Sequence, residues 1–281
     1  MTTVTALART SPFNFTGAHR SRPPLRVSFR RHATGRGSND LCLQLSVAAE
    51  AGRLVDAPYP VGDVWRLGFL GGLSLTLRES LLEGANLIDY PRGSATFRRQ
   101  SVRRLAVVVS GLVRVYLSAP DGRQITLDYA GAGALLGAAA APANDVLLAA
   151  MAVERSSLLH LDPIRVERLA MTHAELSWAL TREIEERLST AHRTVAISVF
   201  APVRTRVARD LLARALARGS SDHRTPLRAT HQDLADAVGS VREVAARAVR
   251  DLRKAGVVES HPDGVTIADL DRLRLEAELA G

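Results

Sequence analysis

THQDLADAVGSVREVAARAVRDLRKAG, residues 230–256, is the stretch on which the reading of the chain turns. Thr230 with Asp233, and Ser240 with Glu243, each fit the start signal S/T-x-x-D/E, in which a hydroxyl accepts from the free N–H groups of a helix's first turn. Leu234, Ala235 and Val238 recur at helical spacing after the first signal, and Val244, Ala248 and Leu252 after the second, so each predicted helix has one inward stripe. Gly239 stands between them, where a tight turn asks for a positive φ that glycine adopts without steric penalty. Two short helices joined in this way make a helix-turn-helix. Arg242, Glu243, Arg247 and Arg250 fall on the outward side of the second helix. In most helices such a face is simply solvated. Here the tight turn, the small Ala235 and the basic surroundings favour a duplex, because arginine can donate bidentately to guanine O6 and N7 and glutamate can accept from cytosine N4.

Downstream, Val257-Val-Glu-Ser260, the turn His261-Pro-Asp-Gly264 and Val265-Thr-Ile267 predict a β-hairpin, which would be the wing of a winged helix. Upstream, Val203 to Ala217 is helical, and Pro202 separates it from a longer helix. Between Thr172 and Ala201 there is no glycine or proline, and Leu176, Leu180, Ile184, Leu188, Ala191 and Val195 recur every three or four residues. A helix of roughly 45 Å outruns a small domain and needs a partner for its stripe, so a dimer is expected. Ile164, Val166 and Leu169 mark a shorter helix before it. From about Leu87 to Leu161 the pattern is β: Leu105–Val109, Leu112–Leu117, Gln124–Tyr129 and Ser157–Leu161 are short apolar or alternating runs, with Pro120-Asp121-Gly122 turning 112–129 into a hairpin. Strands at this spacing predict a small antiparallel barrel or roll. Leu73, Leu75, Leu77, Leu81 and Leu82 place a short amphipathic helix before it.

The fold class is therefore α+β. Residues 1–60 read as a basic, disordered leader, 70–162 as a sensor barrel, 163–201 as connecting and dimerisation helices, and 202–281 as a winged helix-turn-helix domain. Charge follows these divisions. Residues 1–40 hold seven arginines against Asp40 alone; residues 201–254 hold eleven arginines and Lys254 against six acids. Residues 41–200 balance, and residues 255–281 carry a net −4 within a total of +8. For the leader, a transit peptide and a DNA-contacting arm are the alternatives to plain disorder.

Composition excludes several classes. The single cysteine, Cys42, rules out a disulfide framework and any all-cysteine iron–sulfur or zinc cage built by one chain. Aromatic residues at 4% are too few for a single-strand stacking platform. The most apolar stretch, Ala134 to Val153, is interrupted by Pro142, Asn144 and Asp145, so no membrane span is expected and the chain reads as cytoplasmic. Neither a metal-binding spacing nor a nucleophile elbow nor a phosphate loop occurs, and no two of the eight histidines stand at i, i+4. No catalytic residue, no metal ligand and no enzyme activity is assigned.

With these elements in place, residues 73–268 resemble the cyclic-AMP receptor protein/FNR superfamily of bacterial transcription regulators. The most specific motif is Gly239-Ser-Val-Arg-Glu-Val-Ala-Ala-Arg247, similar to that family's G-x-[ST]-R-E-T-V-x-R recognition helix. The resemblance implies that Arg242, Glu243 and Arg247 read bases, in the receptor-protein rather than the FNR spacing, and that Thr230, His231 and Gln232, with Ser240 and Arg250, meet the DNA backbone. His231 replaces a usual arginine, and Val241 and Val244 stand where Ser or Thr is common. Pro91-Arg-Gly93, Ser110-Gly-Leu-Val-Arg-Val-Tyr116 and Asp121-Gly-Arg-Gln-Ile-Thr-Leu127 resemble the family's barrel turns and hairpin. The resemblance also implies double-stranded DNA, a second copy of the chain and RNA polymerase as partners.

The ligand cassette departs from that pattern. Cyclic-nucleotide binders of the family carry Gly-Glu and then Arg-Ser/Thr on the phosphate; here the corresponding pairs are Gly137-Ala138 and Val146-Leu147. Between Thr126 and Arg155 there is no Arg, Lys, Ser or Thr, so a phosphate there would lack charge-assisted donors. Cyclic AMP, an iron–sulfur cluster and haem, for which His160 or His173 would be the ligands, are all expected to be absent as cofactors. The competing reading from another class is a ligand-sensing or scaffolding protein whose winged helix makes protein contacts.

Overall fold

The computed structural model describes residues 25–32, 42–48, 54–56, 68–97, 105–137, 147–219, 224–262 and 264–278. Its first part is built from strands β1 (Leu25–His32), β2 (Cys42–Ala48), β3 (Leu54–Asp56), β4 (Asn86–Tyr90), β5 (Ala95–Phe97), β6 (Leu105–Ser110), β7 (Val113–Ser118), β8 (Gln124–Ala130), β9 (Leu135–Leu136), β10 (Leu147–Ala152) and β11 (Ser156–Leu161). They form two antiparallel sheets, ordered β3-β2-β1-β4-β11-β6-β9 and β5-β10-β7-β8. This is the expected roll. Strand β6 shows why its sequence lacks alternation: both of its faces are buried. Ala106 and Val108 join a cluster shared by the two sheets with Val113, Ala130 and Leu158. Val107 and Val109 point the other way, into a cluster with Leu70 of helix α1 (Gly68–Gly71) and Leu77 and Leu81 of α2 (Leu75–Leu82).

Three segments of the stretch read as a disordered leader are strands. β1 pairs with β2 from Arg26↔Ala48 to His32↔Cys42 and joins β4 through Leu25↔Leu87. The physical reason is in the sequence: Leu25, Val27 and Phe29, then Leu43, Leu45 and Val47, recur every second residue among the arginines and polar residues. The charge count hid that alternation.

Asp162 caps α3 (Pro163–Thr172) by accepting from the Ile164 N–H at 3.0 Å. After His173 comes α4 (Ala174–Phe200), 27 residues long. Of its expected stripe only Leu176 is buried; Ile184, Leu188 and Val195 are exposed, as are Trp178, Val199 and Phe200, so one apolar face is uncovered in the single chain. Pro202 then precedes α5 (Val203–Ala217). The C-terminal unit continues with β12 (Pro226–Leu227), α6 (His231–Val238), α7 (Arg242–Lys254), β13 (Val258–His261), β14 (Gly264–Ile267) and α8 (Leu270–Glu276). β13 and β14 pair from Val258↔Ile267 to His261↔Gly264, which is the expected wing, and β12 adds a third strand. This unit has its own core, in which Val207, Leu211, Leu234, Leu252, Ile267 and Leu273 are buried together.

The unit docks on the roll. Gly131, after β8, lies so close to the end of α5 that a Cβ there would come within 1.6 Å of the Ala217 carbonyl oxygen, and only glycine fits. Beside it Tyr129 Oη donates to Asp210 Oδ1 at 2.6 Å and Arg214 Nε donates to Asp210 Oδ2 at 2.7 Å, all three side chains being buried. The Arg214 guanidinium also lies 4.8 Å from the centre of the Tyr129 ring. Burial alone would lower the Arg214 pKa, but the Asp210 charge, with Tyr129, carries it above the ordinary arginine value. Burial likewise raises the Tyr129 phenol.

Candidate nucleic-acid interface

Helix α6 starts as its sequence predicts. Thr230 Oγ1 accepts from the Asp233 N–H at 3.1 Å, and Asp233 Oδ2 accepts from the Thr230 N–H at 2.9 Å, a reciprocal capping box. Leu234, Ala235 and Val238 are buried, and Gly239 ends the helix at φ 62°. The second start signal is not used. The residue at the head of α7 is Val241, in extended conformation with no side-chain cap, and Ser240 lies one position outside, its N–H donating to the Ala235 carbonyl at 2.9 Å. The head of α7 thus has no side-chain cap, and the Val244 N–H donates to the Val241 carbonyl at 3.1 Å.

The inward stripe of α7 is Ala245, Ala248, Val249 and Leu252, with Val244 half-buried rather than inside. Small side chains face the turn because the two helices approach closely there. The rotation leaves the outward face as expected. Arg242, Glu243, Arg247 and Arg250 are exposed, and none of them has a hydrogen bond or ion pair to another described residue. At 3.6 residues per turn the four lie within an arc of about 140°. Ala246, Arg253 and Lys254 share that arc, so no bulky apolar side chain holds a groove away. The face can donate to and accept from base edges at once.

The expected backbone-contacting residues are placed less uniformly. Thr230 and Gln232 are exposed, while His231 and Ser240 are half-buried. Gln232 Nε2 donates to Asp236 Oδ1 at 2.7 Å, within its own helix. Thr230 Oγ1 is engaged in the capping box.

Residues that the sequence reading passed over hold α6 in place. Arg114 on β7 sits between apolar neighbours in an alternating strand and would be taken as outward and solvated; it is buried. Its Nε donates to Thr126 Oγ1 at 2.8 Å, its Nη1 to Gln124 Oε1 at 3.1 Å, and its Nη2 to the Asp236 carbonyl at 2.9 Å, in the last turn of α6. A cation there complements the negative end of the helix dipole. Arg206 of α5 donates likewise to the Val238 carbonyl at 2.8 Å, and Arg92 lies 3.6 Å from Asp233. No local signal marks these partners, which are about 120 residues apart in the case of Arg114 and Asp236.

The ligand-cassette positions are not brought into a described site. Gly137 follows β9 and is exposed, and Leu147 opens β10; Ala138 and Val146 lie outside the described residues. His160 Nε2 is 3.0 Å from Tyr90 Oη, and His173 Nδ1 is 3.1 Å from the Leu169 carbonyl at a helix end. Among the described residues no group of three or more His, Cys, Asp or Glu side chains is gathered, and no helix is long and apolar enough to cross a membrane.

Comparison with known proteins gives two domain matches: residues 205–276 match the Crp-like helix-turn-helix domain, and residues 87–173 match the cyclic nucleotide-binding domain. The chain is 31% identical over 182 residues to the transcriptional regulator LdrP of Thermus thermophilus, covering 64% of this chain and 90% of that one. It is 27% identical over 218 residues to the CRP-like cAMP-activated global transcriptional regulator of Mycobacterium tuberculosis, covering 75% of this chain and 97% of that one. Among solved structures, a CRP-family transcriptional regulator, also of Thermus thermophilus, superposes with a TM-score of 0.56 at 28% identity, over 69% of this chain and 100% of the other.

Proposed function

The chain belongs to the Crp/Fnr superfamily of DNA-binding transcriptional regulators, and on that premise we propose that it acts as a cytoplasmic homodimer reading a near-palindromic DNA site with Arg242, Glu243 and Arg247. The observation that carries this reading is the exposed, uncommitted charged face of α7. Arg242 and Arg247 offer paired donors to guanines, and Glu243 accepts from a cytosine amino group. The uncapped Arg242 and Glu243 N–H groups at the head of α7, with Arg250 and Ser240, take phosphates and set the register. The uncovered face of α4, Trp178 through Phe200, supports pairing of two copies, which would bring two recognition helices to successive major grooves roughly 34 Å apart. RNA polymerase is the partner that such a bound dimer would address, and no catalytic step is assigned to the chain.

The signal at the roll is read differently. The relative from Mycobacterium tuberculosis is described as cAMP-activated. Here the residues do not fit a cyclic nucleotide's phosphate: the stretch between Thr126 and Arg155 has no cationic or hydroxyl-bearing Ser or Thr side chain, while Asp128, Asp145 and Glu154 are present. A buried phosphate without donors is strongly disfavoured. We therefore assign no cyclic-AMP response to this chain, and neither a haem nor an iron–sulfur cluster. Selection of bound sites from a degenerate duplex library, with and without cyclic AMP, tests both statements. The expected result is one two-fold motif, identical in the two conditions. A library that returns no preferred sequence would leave the winged helix to protein contacts instead.

A further inference from the structure

A cleft of about 490 Å³ opens where the roll, the long helix and the C-terminal unit meet, with walls from β8, α4, α5 and the end of α6. Three guanidinium groups line it: Arg193, Arg206 and Arg209. None of the three has an ion pair with a described carboxylate. Arg206 gives Nη1 to the Val238 carbonyl, but its Nε is buried with no acceptor. Among the described residues Arg193 donates one hydrogen bond, to the Thr190 hydroxyl at 3.2 Å. Arg209 has no hydrogen bond to a described residue, and burial, then the like charge of Arg193, lowers its pKa. Cations gathered and partly desolvated without an ion-paired carboxylate are stabilised when an anion joins them.

The carboxylates of the cleft form no ion pair with these three guanidinium groups. Asp210 is committed to Arg214 and Tyr129. Asp128 accepts from the Tyr129 N–H at 2.8 Å; burial raises its pKa, against a smaller lowering by Arg187 and Arg193. Ile125, Leu127 and Leu216 give the cleft an apolar side. A volume of this size and mixed lining suit a small organic ligand. A second copy of the chain is not the occupant that the geometry favours. Thr190, Arg193, Thr194 and Ile197 face the cleft, whereas Ile184, Leu188, Val195 and Val199 lie roughly 160° away around α4.

We propose that this cleft binds a small phosphorylated metabolite, with its phosphoryl oxygens on Arg206 and Arg209, Arg193 at the rim, and its body against Ile125, Leu127 and Leu216. A phosphate monoester is favoured over a carboxylate because it carries nearly two charges at pH 7 and has three strong acceptor oxygens for the planar guanidinium forks. None of the residues lining it belongs to the Gly137–Leu147 segment, and the site needs no DNA. An occupant contacting β8, α4 and α5 together would oppose their separation.

Calorimetry on the full chain without DNA, using pyrophosphate and ribose 5-phosphate as probes and acetate as the singly charged control, tests this. Saturable binding of one phosphorylated probe per chain is expected, with none for acetate. Arg209→Gln should weaken binding at least tenfold, Asp128→Asn should strengthen it, and Arg242→Ala on the DNA face should leave it unchanged. Should Arg209→Gln fail to fold, Arg193→Gln at the exposed rim gives the same readout with a smaller loss. The proposal is overturned if the wild-type chain shows no saturable binding, if the cleft variants bind as wild type does, or if Arg242→Ala removes the signal.

Discussion

Helix α7 and the segment from Gly137 to Leu147 carry opposite kinds of side chain. On α7 the outward positions hold Arg242, Glu243, Arg247 and Arg250, none engaged by a described residue. Gly137, Ala138, Val146 and Leu147 instead belong to a run, between Thr126 and Arg155, that contains no Arg, Lys, Ser or Thr. Both regions belong to a fold that relatives share, so architecture alone cannot assign the same ligand to both. Outward side chains on a helix are not set by packing, and what stands there reports on the partner.

The strongest way to disturb this contrast is to loosen the docking of the C-terminal unit on the roll. Arg214→Ala leaves Asp210 buried with only the Tyr129 hydroxyl, and should cost about 3–5 kcal/mol of stability in urea unfolding. Asp210→Asn together with Arg214→Met should recover part of it, since no charge is then stranded. On the recognition side, Arg242→Ala should cost about 1–3 kcal/mol of DNA affinity and relax base choice at one position of each half-site. Thr230→Ala removes the capping box of α6 and should lower stability by about 1 kcal/mol with little change in base preference. At the cassette, saturating cyclic AMP should shift neither melting temperature nor DNA affinity. A stabilisation of about 2.7 kcal/mol at a hundredfold excess over Kd that persists in Arg209→Gln would mean that the roll still binds the nucleotide and that the contrast is false.

The helix-turn-helix was legible because several local signals agree over a short span: the Thr230–Asp233 capping box, Gly239 at the turn, and stripes of apolar residues opposite charges. Even there, two details were out of reach. Ser240 fits a cap signal but Val241 takes the position, and the inward stripe is rotated to Ala245. The hairpin of β7 and β8 was equally clear from its turn, yet Arg114 on it could not be recognised as buried, since its acceptor at Asp236 belongs to another domain. The Tyr129–Asp210–Arg214 cluster was invisible for the same reason. Strands β1 and β2 show the opposite failure: an alternating signal was present and was outweighed by the arginines around it.

The central claim is tested most directly by selecting binding sites from a random duplex library with the wild-type chain and with Arg242→Ala in parallel. The account predicts a two-fold motif for the wild type and, for the variant, the same motif with one symmetric pair of positions made degenerate. An unaltered motif, or none from either protein, would contradict the assignment of base reading to α7.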